Sequence, residues 1–496
     1  MKNYAWILVI AACALCGLPD KSAAAEDTPK SKALPPIPLS LNEVHAWIDR
    51  SHPLLKGAGT EKTSARGKML KALGAFEPVL VNDTEIERFV DKGTTKTQSV
   101  GFNDTLVEAR TPWGFRGSAG VRQAIGDAKI PDLSFGNGNQ QVILGGFLPL
   151  LKGLMINPEH AELQRSELAD PRAEVKISQT RQDLFLAAAT QFWDWVSAAK
   201  FVDVQRRALG VAEERLRQVE GRAKAGAVAP LDVVEAGQEV QRRREVAIAA
   251  QRAVEQEQYK MSMFLWENQT PTTPQLERVP DFPPPAALPT ADIVKADKLQ
   301  AKSDRPEIRE VDIEAQVNNI DLELAKNNLL PSLDLEAAPA RAPEKFVLGL
   351  GYRFGAELRI PILQRRSRGE VMEAQAQADR LVLVQKYREQ QVVVDVDNAL
   401  SAIERAKERV AAAAESLRMA KTLEEGERFR FSLGATSVLF VNLRERNSVD
   451  SEMQLVRAKA DYQKALALYQ WSTGSWARSQ PSAMPVNYRV GASFSK

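Results

Sequence analysis

The spacing of apolar positions predicts mostly long helices, with a few short strands in each half of the chain. Apolar residues at helical spacing predict helices over 41–51, 157–225, 230–266, 305–330, 368–430 and 436–470. Period-two alternation predicts strands over 111–121, 141–150, 332–338 and 349–360. A helix over 368–430 would be about 95 Å long at ~1.5 Å per residue. Such helices cannot bury an apolar stripe inside a compact domain, so they must pack lengthwise against each other.

The two halves of the chain share one order of elements and one set of turn residues. Four residues recur 208 positions later, as Arg222 and Arg430, Gly226 and Gly434, Leu231 and Leu439, and Val233 and Val441. Pro149 and Pro361 each lie between aliphatic residues at the point where a predicted strand leads into a long helix. Each half therefore has the order helix, strand, strand, very long helix, tight turn, long helix, which indicates an internal duplication.

An export signal and Pro-rich breaks divide the rest of the chain. Lys2, the apolar stretch 4–18 and small residues up to Ala25 are typical of a secretory signal cleaved after Ala25. An uncleaved anchor, or lipoprotein processing at Cys13, remains as an alternative. The predicted segments are the signal (1–25), an extended leader (26–40), a first repeat (41–269), a Pro-rich linker (270–304), a second repeat (305–474) and an irregular tail (475–496).

Composition and charge weigh against several classes of protein. The chain has 66 basic and 64 acidic residues, a net charge of +2, so it lacks the basic surplus that is typical of nucleic-acid-binding proteins. Three histidines at unrelated positions, and two cysteines that the signal would remove, offer little for metal or thiol chemistry. No nucleophile elbow, phosphate loop or metal motif is present, so the sequence predicts neither an enzyme nor a cofactor.

A membrane role would have to use β-strands. Beyond the signal, no stretch approaches the ~18 consecutive apolar residues of a membrane-spanning helix. Four amphipathic strands per chain are too few to close a membrane barrel, which needs about eight. Strands would therefore be pooled between subunits, and four from each of three chains would make twelve. An exported protein with this duplication is most simply a channel.

At this level of detail the sequence resembles the TolC family of outer-membrane efflux proteins. The resemblance covers nearly the whole mature chain and depends on the order and spacing of short motifs. These are Leu39-Ser40-Leu41, His52-Pro53-Leu54, Arg305-Pro306, Ala325-Lys326, Leu330-Pro331-Ser332-Leu333, Ile360-Pro361-Ile362, Arg430-Phe431-x2-Gly434, Asp461-Tyr462-x2-Ala465 and Gly474.

The resemblance implies a mostly helical homotrimer with a twelve-stranded barrel in the outer-membrane lipid and a long periplasmic α-barrel. It also implies docking to a periplasmic adaptor (membrane fusion) protein served by an inner-membrane pump of RND, ABC or MFS type or by a secretion ATPase. Residues 80–140 fit the pattern poorly, and we expect their extra length to form an extracellular loop. A periplasmic adaptor or coiled-coil scaffold is the competing interpretation, although adaptors normally carry a single helical hairpin.

Two sets of residues are the functional candidates. The resemblance places the turns at the periplasmic tip that meets the adaptor, so the predicted docking residues are Arg222, Gly226, Ala227, Arg430, Gly434 and Ala435. Just beyond the second turn, where some family members close the passage with acidic residues, no carboxylate precedes Glu445. Phe440, Asn442 and Arg444 are the predicted constriction, with packing inside the helical wall as the alternative for Phe440.

Overall fold

The structure is a computed structural model that describes residues 37–90, 97–128, 140–339 and 352–478. The predicted signal, its cleavage site at Ala25, and most of the leader and of the tail lie outside the described residues. Helices are numbered in chain order as α1 (Leu41–Ser51), α2 (Pro53–Leu73), α3 (Pro158–Glu167), α4 (Ala169–Lys224), α5 (Pro230–Ser262), α6 (Ala291–Asp304), α7 (Pro306–Asn327), α8 (Arg365–Ser432), α9 (Val438–Ser472) and α10 (Ser475–Arg478).

Eight strands are described. They are β1 (Val79–Val90), β2 (Thr97–Arg110), β3 (Arg116–Gly126), β4 (Gln140–Pro149), β5 (Trp266–Glu267), β6 (Thr270–Pro271), β7 (Ser332–Pro339) and β8 (Tyr352–Arg359). Six of these form one antiparallel sheet in the order β1-β2-β3-β4-β7-β8, while β5 and β6 pair separately. The pairing of β4 with β7 joins the strands of the two halves, so the duplication contributes to one continuous sheet.

The predicted fold class is confirmed, with one correction to the number of strands. The sheet holds six strands of the described chain instead of four, because β1 and β2 form a hairpin in the region expected to be a loop. The strand expected over 111–121 is β3, which begins only at Arg116. The preceding residues form a turn in which Gly114 has a φ of 84° and Gly114 N–H donates to Thr111 O.

The long helices pair as two antiparallel hairpins, α4 with α5 and α8 with α9. The 56 residues of α4 and the 68 residues of α8 each turn back tightly into the next helix. Packing of α4 on α9 brings the two hairpins side by side. No helix in the described part of the chain is long and apolar enough to cross a membrane.

The largest core lies where α1 packs on the first half of α4. Phe192, Trp195 and Val196 of α4 are almost fully buried there, beside Val44 and Ile48 of α1. Ser40 caps α1, since its Oγ accepts a hydrogen bond from Glu43 N–H at 3.1 Å. This core fixes the middle of the molecule, with the sheet at one end of the helices and the two tight turns at the other.

Candidate functional site

The two turns that end α4 and α8 have the same backbone geometry. Gly226 and Gly434 take φ values of 75° and 73°, a left-handed conformation that costs glycine least. In the first turn Ala227 N–H donates to Arg222 O at 2.9 Å and Gly226 N–H to Ala223 O at 2.9 Å. The corresponding bonds in the second turn run from Ala435 to Arg430 and from Gly434 to Phe431, at 2.9 and 3.0 Å. Both turns are Schellman motifs, so the predicted repeat extends to individual hydrogen bonds.

The arginines of the two turns make different contacts despite their equivalent positions. Arg222 Nη1 donates to Phe431 O at 3.2 Å, and its guanidinium carbon lies 4.9 Å from the centre of the Phe431 ring. Arg222 thus ties the first hairpin to the second. Arg430 instead bonds Glu427 of its own helix at 3.4 Å, and its side chain is 60% exposed. Of the two arginines, Arg430 is the more exposed at the end of its hairpin.

The other predicted tip residues fall into exposed and buried groups. Gly226, Ala227, Gly434 and Ala435 are exposed at the ends of the hairpins. Of the predicted constriction residues, Phe440 is 54% exposed, Arg444 is half-buried and Asn442 is only 3% exposed. Burial within the chain suits Asn442 for holding helices together better than for lining a passage.

Two buried carboxylates next to the turns connect the hairpins, and we call their contacts the tip ion pairs. Glu445 of α9 accepts from Arg215 of α4 at 2.5 Å and from Arg428 of α8 at 3.0 Å. Both Glu445 and Arg215 are less than a tenth exposed. Each carboxylate of the tip ion pairs is thereby bonded to arginines of both hairpins.

The second carboxylate, Glu239 of α5, follows the same arrangement. Arg243 Nε of the same helix donates to it at 2.8 Å, and Arg446 of α9 donates to both of its oxygens. Glu239 is 3% exposed. Burial alone would raise its pKa, but the hydrogen bond from Arg446 and the charges of Arg243, Arg446 and Arg242 outweigh burial and lower the pKa below its ordinary value. The carboxylate therefore stays ionised between its arginines.

Sequence reasoning missed the tip ion pairs. Their partners lie 207 and 230 positions apart in the chain, and hydrophobic periodicity carries no information on such distant polar contacts. The signal in the sequence that could have revealed these contacts is a charged residue at a position that the helical pattern of α4, α5 and α9 assigns to the buried side. Among the described residues, no cluster of side chains could hold a metal ion.

At the opposite end of the molecule, the sheet separates charged from uncharged side chains. The register of β3, β4, β7 and β8 places their charged residues on a single face, which we call the charged face. These residues are Arg116, Arg122, Asp334, Glu336, Arg353, Glu357 and Arg359. The other face of the same four strands, the uncharged face, has exposed Val142, Leu144, Leu335, Phe354 and Leu358. This alternation is typical of strands that separate lipid from a polar interior.

An amphipathic curled sheet, continued by two long helical hairpins, defines the class of outer-membrane channel subunits. Residues 299–472 match the family model described as outer membrane efflux protein. That part of the chain is thus similar to outer membrane efflux proteins, and the predicted resemblance to TolC-like proteins is confirmed.

Solved structures extend the likeness to most of the chain. The Campylobacter jejuni outer membrane channel CmeC is 13% identical at a TM-score of 0.63, covering 88% of this chain and 85% of that one. The open state of the Neisseria gonorrhoeae channel MtrE is 15% identical at 0.62, covering 88% of each chain. The Vibrio cholerae outer membrane protein VceC is 13% identical at 0.63, covering 88% and 96%. At these identities the likeness establishes the fold. No curated protein matches this sequence.

Proposed function

We propose that this protein is the outer-membrane channel component of a tripartite efflux or type I secretion system. The observation that carries the proposal is the separation of charge across the sheet. Acyl chains can contact the uncharged face, while the charged face borders a water-filled interior. Among the described strands, β1 and β8 are the edges of the sheet, so their backbone groups need partners from other copies before the sheet can lie in lipid. A homotrimer that extends into the periplasm of a Gram-negative bacterium supplies them.

In this proposal the helical hairpins form the periplasmic tube and contribute no chemistry. The division into repeats over 41–269 and 305–474, joined by the linker 270–304, belongs to the same proposal. Substrates pass through a passive conduit, and an energised partner supplies the driving force. The inner-membrane pump would be of RND, ABC or MFS type. No cofactor or nucleic acid has a role in this mechanism.

The tips supply docking and gating. The docking surface comprises the exposed turn residues named above together with Arg222 and Arg430. The tip ion pairs and the Arg222–Phe431 contact hold the two hairpins of one subunit together. An adaptor that binds the turns would open the passage by separating these contacts. Phe440 and Arg444 are the candidates that border the closed passage.

A periplasmic adaptor or scaffold is the alternative from a different class. It would explain one long hairpin, but it leaves the second hairpin and the uncharged face without a role. Extraction of the native protein from purified outer membranes in mild detergent separates the two. A particle with three times the mass of the mature chain, which forms ion-conducting pores in planar bilayers, is expected for the channel. Recovery of the protein as a soluble periplasmic species would refute it.

A further inference from the structure

The hairpin of β1 and β2 repeats the charge pattern of the other four strands. Register continues the charged face through Asp83, Glu85 and Glu87 of β1 and through Asp104, Glu108 and Arg110 of β2. One charged residue of the hairpin, Arg88, falls on the uncharged face, near the end of β1 that is remote from the helices. Leu80, Ile86, Val90 and Val107 of the uncharged face are between 47% and 71% exposed.

Pairing places this hairpin at the same height as the rest of the sheet. Every residue of β3, from 116 to 126, pairs with a residue of β2, and every residue of β1 pairs with β2. The turn between β2 and β3 lies at the helical end, because Asn157 Nδ2 donates to Pro112 O at 2.8 Å and Arg110 bonds Glu159 at 3.1 Å. With 12 and 14 residues, β1 and β2 exceed the ~9–11 residues that span a bilayer.

Polar side chains in the middle of the hairpin are hydrogen-bonded, as a lipid environment requires. On the charged face, Arg122 of β3 donates two hydrogen bonds, at 2.7 and 2.6 Å, to Asp104 of β2, and both side chains are buried. On the uncharged face, four polar side chains in the middle of the strands bond one another across the hairpin. They are Asn82, Thr84, Asn103 and Thr105, with donor–acceptor distances of 2.5 to 3.1 Å between strands. Unpaired polar groups would be costly against acyl chains, and these are paired.

We propose that β1 and β2 are membrane strands whose uncharged face contacts lipid acyl chains, so that each chain contributes six strands to the barrel wall. This inference depends on the proposed channel function, since the hairpin continues the face that the proposal places in lipid. Three copies with six strands each pool eighteen strands. A barrel of that size encloses a wide aqueous passage. In such a barrel β1 of one subunit pairs with β8 of its neighbour, because the alternating directions of the six strands make these edges antiparallel.

Neighbouring residues on opposite faces provide a matched test. Single cysteines would replace Ile86 and Glu87 on β1, and Val107 and Glu108 on β2, all four of which are exposed. A fluorophore attached to each full-length trimer, reconstituted in phosphatidylcholine vesicles, is then quenched with nitroxide-labelled phospholipid. Leu358→Cys and Glu357→Cys on β8 form the reference pair for the wall already proposed. The unsubstituted protein, labelled in parallel, gives any background from Cys13 and Cys16.

We expect quenching at Ile86→Cys and Val107→Cys to match that at Leu358→Cys and to exceed that at the three glutamate positions by about threefold or more. If Leu358→Cys is quenched and neither hairpin position is, the hairpin lies outside the bilayer, and this inference fails while the channel proposal stands. If no position is quenched, the proposed membrane wall fails, and the inference fails with it. The two strands are tested independently, so one variant that does not assemble leaves the other strand decisive.

Discussion

Removing the charge of Glu239 should destabilise the contact between the two hairpins of one subunit. In Glu239→Gln the side chain keeps its size, but Arg243 and Arg446 lose their negative partner. Arg243 is 5% exposed and cannot recover water, whereas the side chain of Arg446 is 36% exposed and can. Breaking a buried pair costs about 3–5 kcal/mol. Rehydration of Arg446 places the expected loss near the lower end, at about 3 kcal/mol.

A loss of that size acts on gating if the pair exists only while the tip is closed. About 3 kcal/mol corresponds to a change of roughly 100-fold in a two-state equilibrium. The open fraction of single channels in planar bilayers should therefore rise steeply in Glu239→Gln, without any adaptor. Cells that carry the variant should also admit large antibiotics that the wild type excludes.

An exposed partner of the same carboxylate provides the control. Arg242 Nε lies 3.2 Å from Glu239, but its side chain is 47% exposed, and such a pair contributes about 0.5 kcal/mol or less. Arg242→Gln should therefore gate like the wild type. The reasoning is refuted if correctly assembled Glu239→Gln trimers stay closed, or if Arg242→Gln opens the channel equally.

Three further predictions follow from individual contacts. His45 is buried against Phe185, and burial lowers its pKa to about 4. The free energy of unfolding should therefore fall by up to about 3 kcal/mol as the pH drops from about 6.5 to 4. Subtracting the pH profile of unfolding of His45→Gln isolates the contribution of His45. Gly434→Ala should cost about 1 kcal/mol of unfolding free energy, because the φ of Gly434 is 73° and no atom lies near the added Cβ. Helical Gly210→Ala should instead stabilise the protein. Shifts of the melting temperature in the same direction for both variants would contradict this. Arg222→Ala should increase the leak conductance of the channel, and Arg430→Ala should not. Both variants should weaken adaptor binding measured by titration. Equal leak conductance from the two variants would exclude a role for the Arg222–Phe431 contact in keeping the channel closed.

Long periodic segments were predictable because their information is local. The prediction for α1 matches its bounds, Leu41–Ser51. The segment expected as one helix over 157–225 is α3 and α4, separated at Leu168. By contrast, α2 gave no clear signal, since Gly57, Gly59 and Gly67 lower its helix propensity. It forms through tertiary packing, with Leu55 and Ala65 buried.

The β1–β2 hairpin could not be recognised from the usual alternation of apolar and polar residues. Its uncharged face mixes Leu80 and Ile86 with Asn82 and Thr84, so hydropathy along β1 looks irregular. The regular quantity is formal charge, which alternates through Asp83, Glu85 and Glu87. A strand between lipid and water requires that charges stay on one side, and polar groups can face lipid if they bond each other. Charge alternation is therefore the more useful signal in such a region.

The internal repeat also shows why the turns were predictable and the tip ion pairs were not. Residues 208 positions apart share the Schellman turn, because the backbone conformation imposes the same demand on both hairpins. The tip ion pairs do not repeat: Arg215, Glu239, Glu445 and Arg446 correspond to the uncharged Leu423, Asn447, Gly237 and Gln238, in that order. A contact that joins one hairpin to the other needs a donor on one and an acceptor on the other. Divergence between the two repeats is therefore what allows a subunit to hold its own hairpins together, and in the proposed function these unrepeated charges form the contacts that an adaptor would separate.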